Sequence, residues 1–126
     1  MNTAILTAII TIMASKYGVD RKDLSCSLKL ATNYQHRTIT SDRWYGIGLT
    51  DDITIKAWKL DKERLTNNAY YSIEKSAEYL RFVQDSYKES DFTMWQCSFR
   101  SKYTNRSNFC VHYMEELNEC KNGEHL

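Results

Sequence analysis

The chain has no proline and only four glycines in its 126 residues. Tight hairpins draw on proline's fixed φ and glycine's freedom at positive φ, so a β-rich domain of this length is disfavoured. Helices are expected before any pattern is read. Charge of one sign is also lacking. Seventeen Lys and Arg stand against 16 Asp and Glu, for a net charge of +1. That balance supplies no electrostatic footprint for nucleic acid or an acidic membrane surface. Nor is there a long hydrophobic run. The most apolar stretch, Ala4 to Met13, is interrupted by Thr7 and Thr11 and falls well short of the roughly 20 residues that cross a bilayer. Neither a nucleic-acid partner nor stable membrane insertion is expected.

That first stretch, "MNTAILTAIITIMASKYG", has the length of a secretory leader, with small Ala14 and Ser15 after the apolar run. No Lys or Arg precedes it, however, so it reads as a buried first helix and not as an evident signal peptide. Ile5, Ile9, Ile12 and Met13 are expected on its buried face. The four cysteines, Cys26, Cys97, Cys110 and Cys120, make an even set that could form two bridges. A chain made without export keeps thiols reduced by default, so on that condition four free thiols are expected, with Cys26 a buried structural one. Cys110 and His112 sit in "CVH" at a spacing that standard zinc knuckles do not use, and the remaining histidines are scattered. No metal or cofactor is expected.

What is present reads as one mainly α domain over residues 1–126. Gly18 ends the first helix and Asp20 caps a second through "RKDLSCSLKLATNY", with Leu24, Leu28 and Ala31 on or beside its buried face. Residues 35–51 are polar, β-branched and glycine-bearing, and read as a loop, with any sheet confined to about residues 35–50. Asp51 and Asp52 cap a short helix in "DDITIKAWKL". The clearest helix is "NNAYYSIEKSAEYLRFVQDSY", with Ile73, Ala77, Leu80 and Val83 inward and Glu74, Lys75, Glu78 and Arg81 outward. A further helix is expected with Phe92, Trp95 and Phe99 in register, and a last one with Phe109, Tyr113 and Leu117. Aromatic residues make up 13% of the chain, including nine Tyr and three Trp. Such rings serve either a core or a sugar or peptide groove.

The order of these segments resembles the lytic transglycosylase domain of the goose-type lysozyme superfamily, over nearly the whole chain from about Ile5 to Leu117. "IITIMASKYGVDRKDL" is similar to the family's first helix and turn. "ATNY" (Ala31 to Tyr34) falls where the family has Glu-Ser-x-Phe or Tyr, and "YGIGL" (Tyr45 to Leu49) falls on its Gly-Leu-Met-Gln turn, with Gly46 as the glycine. "SIEKSAEYLRFVQDSY" resembles the Asn-Ile-x-x-Gly-x-x-Tyr-Leu helix, keeping Ile73, Tyr79 and Leu80. "CSFRSKYTN" takes the place of the Ala-Tyr-Asn-Ala-Gly segment.

The resemblance implies a lysozyme-like fold acting on peptidoglycan glycan strands, yet the departures fall on the chemistry. The family's single glutamate protonates the glycosidic oxygen and then acts as base toward an anhydro product. Its position here is Ala31, and a methyl group carries no proton. The family's turn Met and Gln become Gly48 and Leu49, its Tyr-Asn pair becomes Phe99 and Arg100, and its helix Asn and Gly become Ser72 and Ser76. Losses at several positions favour natural degeneration, with an engineered knockout at Ala31 as the alternative. Of the carboxylates near the loop, Asp51 and Asp52 read as caps and Asp42 as a turn residue. Cys26 has neither His36 nor His112 placed by sequence to activate it.

The expected ligand site is a groove between the second helix and loop 35–50, walled by Asn33, Tyr34, Trp44, Tyr45, Gly46 and Phe99. Its rings would meet the apolar faces of sugars, and backbone amides near Gly46 and Gly48 would hold acetamido groups. The resemblance further implies a wall-crossing machine: a phage tail or ejection apparatus, or a conjugation or secretion system. Expected partners are glycan strands and the structural proteins of that machine, and the expected location is the virion or the periplasmic, wall-facing side. The competing expectation is a structural or adaptor protein that uses the same fold for protein contacts.

Overall fold

In the computed structural model, residues 2–35, 38–39, 44–48, 50–86 and 109–123 are described. Helix α1 (Thr3–Tyr17) begins where the Asn2 side chain accepts the Ala4 and Ile5 amides, and ends where Gly18 turns left-handed at φ 65°. Asp20 accepts the Asp23 amide to open α2 (Arg21–Thr32). That helix stops at Thr32, short of Tyr34, because Asn33 (φ 53°) and Tyr34 (φ 62°) are both left-handed. Asparagine tolerates that conformation better than most residues and serves as the cap. Three two-residue strands follow: β1 (Thr38–Ile39), β2 (Trp44–Tyr45) and β3 (Thr50–Asp51). They form an antiparallel meander in which Tyr45 lies opposite Thr38 and Thr50. Then come α3 (Asp52–Trp58), α4 (Lys62–Asn67), α5 (Ala69–Ser86) and α6 (Phe109–Gly123). The chain is thus mainly α, with the small sheet where the loop was read, reaching one residue further to Asp51. The helix read around Phe92, Trp95 and Phe99 lies outside the described residues.

The main core is built by α1, α2, α5 and the turn after β2. Ile10, Met13, Leu24, Leu28, Ile47, Ile73, Ala77 and Val83 are all at most 1% exposed. Each of the larger side chains stabilises the fold by roughly 1.5–3 kcal/mol relative to exposure. On α5 the inward stripe is the expected one: Ile73, Ala77, Leu80 and Val83 are all buried. On α1 it is not. The buried residues are Leu6, Ile10, Met13 and Ala14, while Ile5 and Ile12 are 55% and 51% exposed. Because α1 is apolar on almost every side, packing against α5, and not periodicity, selects its inward face. No described helix is long and apolar enough to cross a membrane.

The cysteine expectation also needs correction. Cys26 and Cys120, separated by 94 positions, are joined in a disulfide. Cys26 is fully buried, as read from the sequence, but it is half of a cross-link and not a free thiol. Cys97 lies outside the described residues.

An ion-pair chain ties α1 to α5. Lys16 Nζ lies 2.6 Å from Glu74 Oε2, and Lys75 lies 4.0 Å from Glu74 and 3.2 Å from Glu78. The hydrogen bond from Lys16 holds the Glu74 carboxyl below its ordinary value of 4.5, against the opposing effect of burial. A carboxyl depressed on folding contributes stability that is complete above its unfolded value and lost as pH falls through the folded one. Urea midpoints of the wild type should therefore decline below pH 4.5 more steeply than those of Glu74→Gln. Parallel declines would show that the pair contributes nothing.

Candidate functional site

Where α2 ends, Thr32 is buried and its Oγ1 donates to the Ile47 carbonyl at 2.6 Å. The Ile47 N–H in turn donates to Ser72 Oγ at 3.0 Å, also out of solvent. Ser72 sits in the first turn of α5, whose start is set by Asn68: its Oδ1 accepts the Tyr71 N–H at 2.9 Å. One residue, Ile47, thus joins the end of α2 to the start of α5 through both of its backbone polar groups. These bonds satisfy backbone groups that burial would otherwise penalise. Removing the Ser72 hydroxyl leaves the Ile47 N–H buried without it. Ser72→Ala should cost about 1–3 kcal/mol in chemical denaturation, whereas an exposed change such as Ser86→Ala should cost little.

The turn closes on its neighbours without spare room. Gly46 is buried, with φ +85°, and a Cβ there would run into the Leu65 carbonyl oxygen and Ser72 Oγ. A Cβ on Gly48 would meet the Ser76 hydroxyl. Ser76 itself donates to the Ser72 carbonyl at 2.9 Å. The glycines permit α5 and the α4 end to approach the turn this closely.

The residues read as groove walls are distributed around this junction. Ala31 is half-buried and directly precedes Thr32. Asn33 is exposed, fixed by its N–H bond to the Lys29 carbonyl at 2.8 Å. Tyr34 is half-buried and packs against the main core, its hydroxyl 3.0 Å from Ser25 Oγ. Tyr45 is half-buried against Ile55, Leu65 and Tyr71, with Lys62 Nζ 4.7 Å from its ring centroid. Trp44 is placed in β2 opposite Ile39 and Asp51. Gly46, being buried, shapes the turn from within and presents no surface of its own. Phe99, Leu49, Arg100, Asp42 and His36 lie outside the described residues.

Asp52 lies in the first turn of α3 and pairs with Lys62 at 3.6 Å, where a carboxylate favours the helix dipole. Asp51 belongs to β3, and Asp52, read together with it as a cap, already lies inside the helix. Among the described residues no group of three or more His, Cys, Asp or Glu is placed to hold a metal ion.

Two features escaped the sequence reading. One is the Thr32–Ile47–Ser72 bridge. Its only sequence signal is a pair of small polar residues, Ser72 and Ser76, one turn apart beside an apolar stripe. The other is an aromatic cluster on α3 and α5, in which Trp58 lies 5.5 Å from both Tyr79 and Phe82. Phe82 is 51% exposed, so the cluster reaches the surface. Comparison of the chain with protein-family models, curated proteins and solved structures finds no match.

Proposed function

We propose that this chain is a lytic transglycosylase-like, lysozyme-superfamily domain that binds peptidoglycan glycan strands and has lost most or all cleavage. One observation carries the reading. The segments that resemble three separate family motifs, "ATNY", "YGIGL" and the part of α5 that opens with "SIEKS", meet at one hydrogen-bonded junction through Thr32, Ile47 and Ser72. Segments distant in sequence need not meet, and a common origin accounts for their doing so. The meander directly after the helix that carries Ala31 is consistent with the same reading. With Ala31 in the acid's position the site has no proton to give the glycosidic oxygen. Asn33, Tyr34, Trp44, Tyr45 and Phe99 then serve to hold the strand.

The setting we favour is a wall-crossing machine of a phage, conjugation or secretion system. The Cys26–Cys120 bond supports a destination on the oxidising, wall-facing side of the membrane or in an assembled particle. The second reading, an adaptor that uses the fold for protein contacts, is favoured by the surface aromatic cluster of Trp58, Tyr79 and Phe82. Co-sedimentation with purified peptidoglycan at moderate salt distinguishes the two. Retention that soluble glycan fragments compete away supports the glycan reader, and failure to sediment sinks it.

A further inference from the structure

Helix α6 is held differently from the rest of the fold. Its buried residues, Tyr113 and Leu117, pack with Cys26 and with partly buried Leu30, Met114 and Cys120 in a cluster separate from the main core. The main core draws on α1, α2, α5 and the turn around Ile47, with no described residue of α6. The disulfide and an ion pair between Lys121 and Asp23 at 2.6 Å reinforce the contact. The ion pair is partly exposed, 37% at Lys121 and 19% at Asp23, and adds a modest share.

The two cysteines differ in exposure. Cys26 is fully buried. Cys120 is only half-buried and borders a cleft of about 370 Å³ between α2 and α6, lined also by Lys29, Leu30, Glu116 and Glu119. A reductant entering there meets Cys120, and the bond it meets is the one covalent tie between the two helices.

We infer that the Cys26–Cys120 bond is a thiol-reversible latch, opened from the α2–α6 cleft, that releases α6 while the α1–α2–α5 core stays folded. The co-reactant is a dithiol. One of its thiolates attacks Cys120 Sγ, forming a mixed disulfide as the bond to Cys26 breaks, and Cys26 leaves as a thiolate that takes up a proton. The second thiol of the reductant then displaces Cys120, which also becomes a thiol. The reductant departs as a disulfide, having given up two electrons and two protons. Without the bond, the apolar contact that holds α6 among the described residues is the small cluster around Tyr113 and Leu117, so its local opening becomes easier than that of the core.

Hydrogen exchange on the full-length chain, with and without dithiothreitol, tests this. Alkylation mapping should first show Cys26 and Cys120 protected before reduction and labelled after it. Amides of residues 109–123 should then exchange at least about tenfold faster on reduction, while those of residues 69–86 change by less than about twofold. A Cys26→Ser/Cys120→Ser variant should show the reduced pattern without reductant. If that variant does not fold, reduction of the wild type still decides the matter. Labelling of either cysteine before reduction, continued protection of α6 after it, or parallel loss of protection in α5 would each overturn the latch.

Discussion

Replacing Gly46 with alanine should destabilise the fold by roughly 2–5 kcal/mol, combining the cost of a left-handed non-glycine residue with that of overpacking. Three conditions coincide at this position. Its φ is +85°, the obstructing atom is the backbone carbonyl oxygen of Leu65, and the second neighbour is the Ser72 hydroxyl that holds Ile47. A backbone carbonyl cannot rotate aside as a side-chain tip can, so the turn itself must shift and strain the Thr32 and Ser72 bonds. Against a total stability of about 5–15 kcal/mol this is a large fraction. Gly48→Ala is the comparison, because Gly48 is not left-handed and the first atom a Cβ there meets is a side-chain hydroxyl, whose displacement costs its bond to the Ser72 carbonyl. Urea unfolding should show the larger loss at Gly46. Equal and small losses would mean that the turn is not clasped as described.

Placing a carboxyl at Ala31, where the proposed reading puts the lost acid, is the second large test, and here the expected gain is small. In an adapted site, a general acid is worth about 10²–10⁴ in rate. Ala31→Glu should recover less than about tenfold over the parent in wall lysis, because an acid gains its full effect only when its partners orient it. In the resemblance those partners fall on Leu49, Phe99 and Arg100, none of which matches the family's residue. The position is also half-buried near the C-terminal end of α2, where the helix dipole disfavours a carboxylate. A small stability loss should therefore accompany the substitution. Strong lysis by Ala31→Glu would instead show a site intact but for one residue, as an engineered knockout would leave it.

How far the sequence foretold this depended on how one-sided each element is. Helix α5 was fully legible, because charged Glu74, Lys75, Glu78 and Arg81 leave one face for the core. Helix α1 offers apolar residues all round, so its expected stripe of Ile5, Ile9, Ile12 and Met13 shared only Met13 with the buried set of Leu6, Ile10, Met13 and Ala14. The end of α2 was read too late because Asn33 and Tyr34 carry no proline or glycine to mark the left-handed turn. The disulfide was beyond reach: four cysteines allow several pairings, and a redox prior based on export pointed to free thiols. At the candidate site the sequence located Ala31, the Gly46 turn and the α5 start as separate motifs. It did not join them, since two hydroxyls and one backbone peptide leave no charge pattern to read.

The central proposal is a site that holds glycan strands with its proton donor gone, and one experiment addresses both halves. The wild-type chain is incubated with purified peptidoglycan sacculi, and bound protein and released anhydro-muropeptides are measured in the same suspension. The account predicts protein retained on the sacculi, with turbidity steady and anhydro products no higher than in a protein-free control. Robust release of anhydro-muropeptides by the chain with Ala31 in place would contradict it.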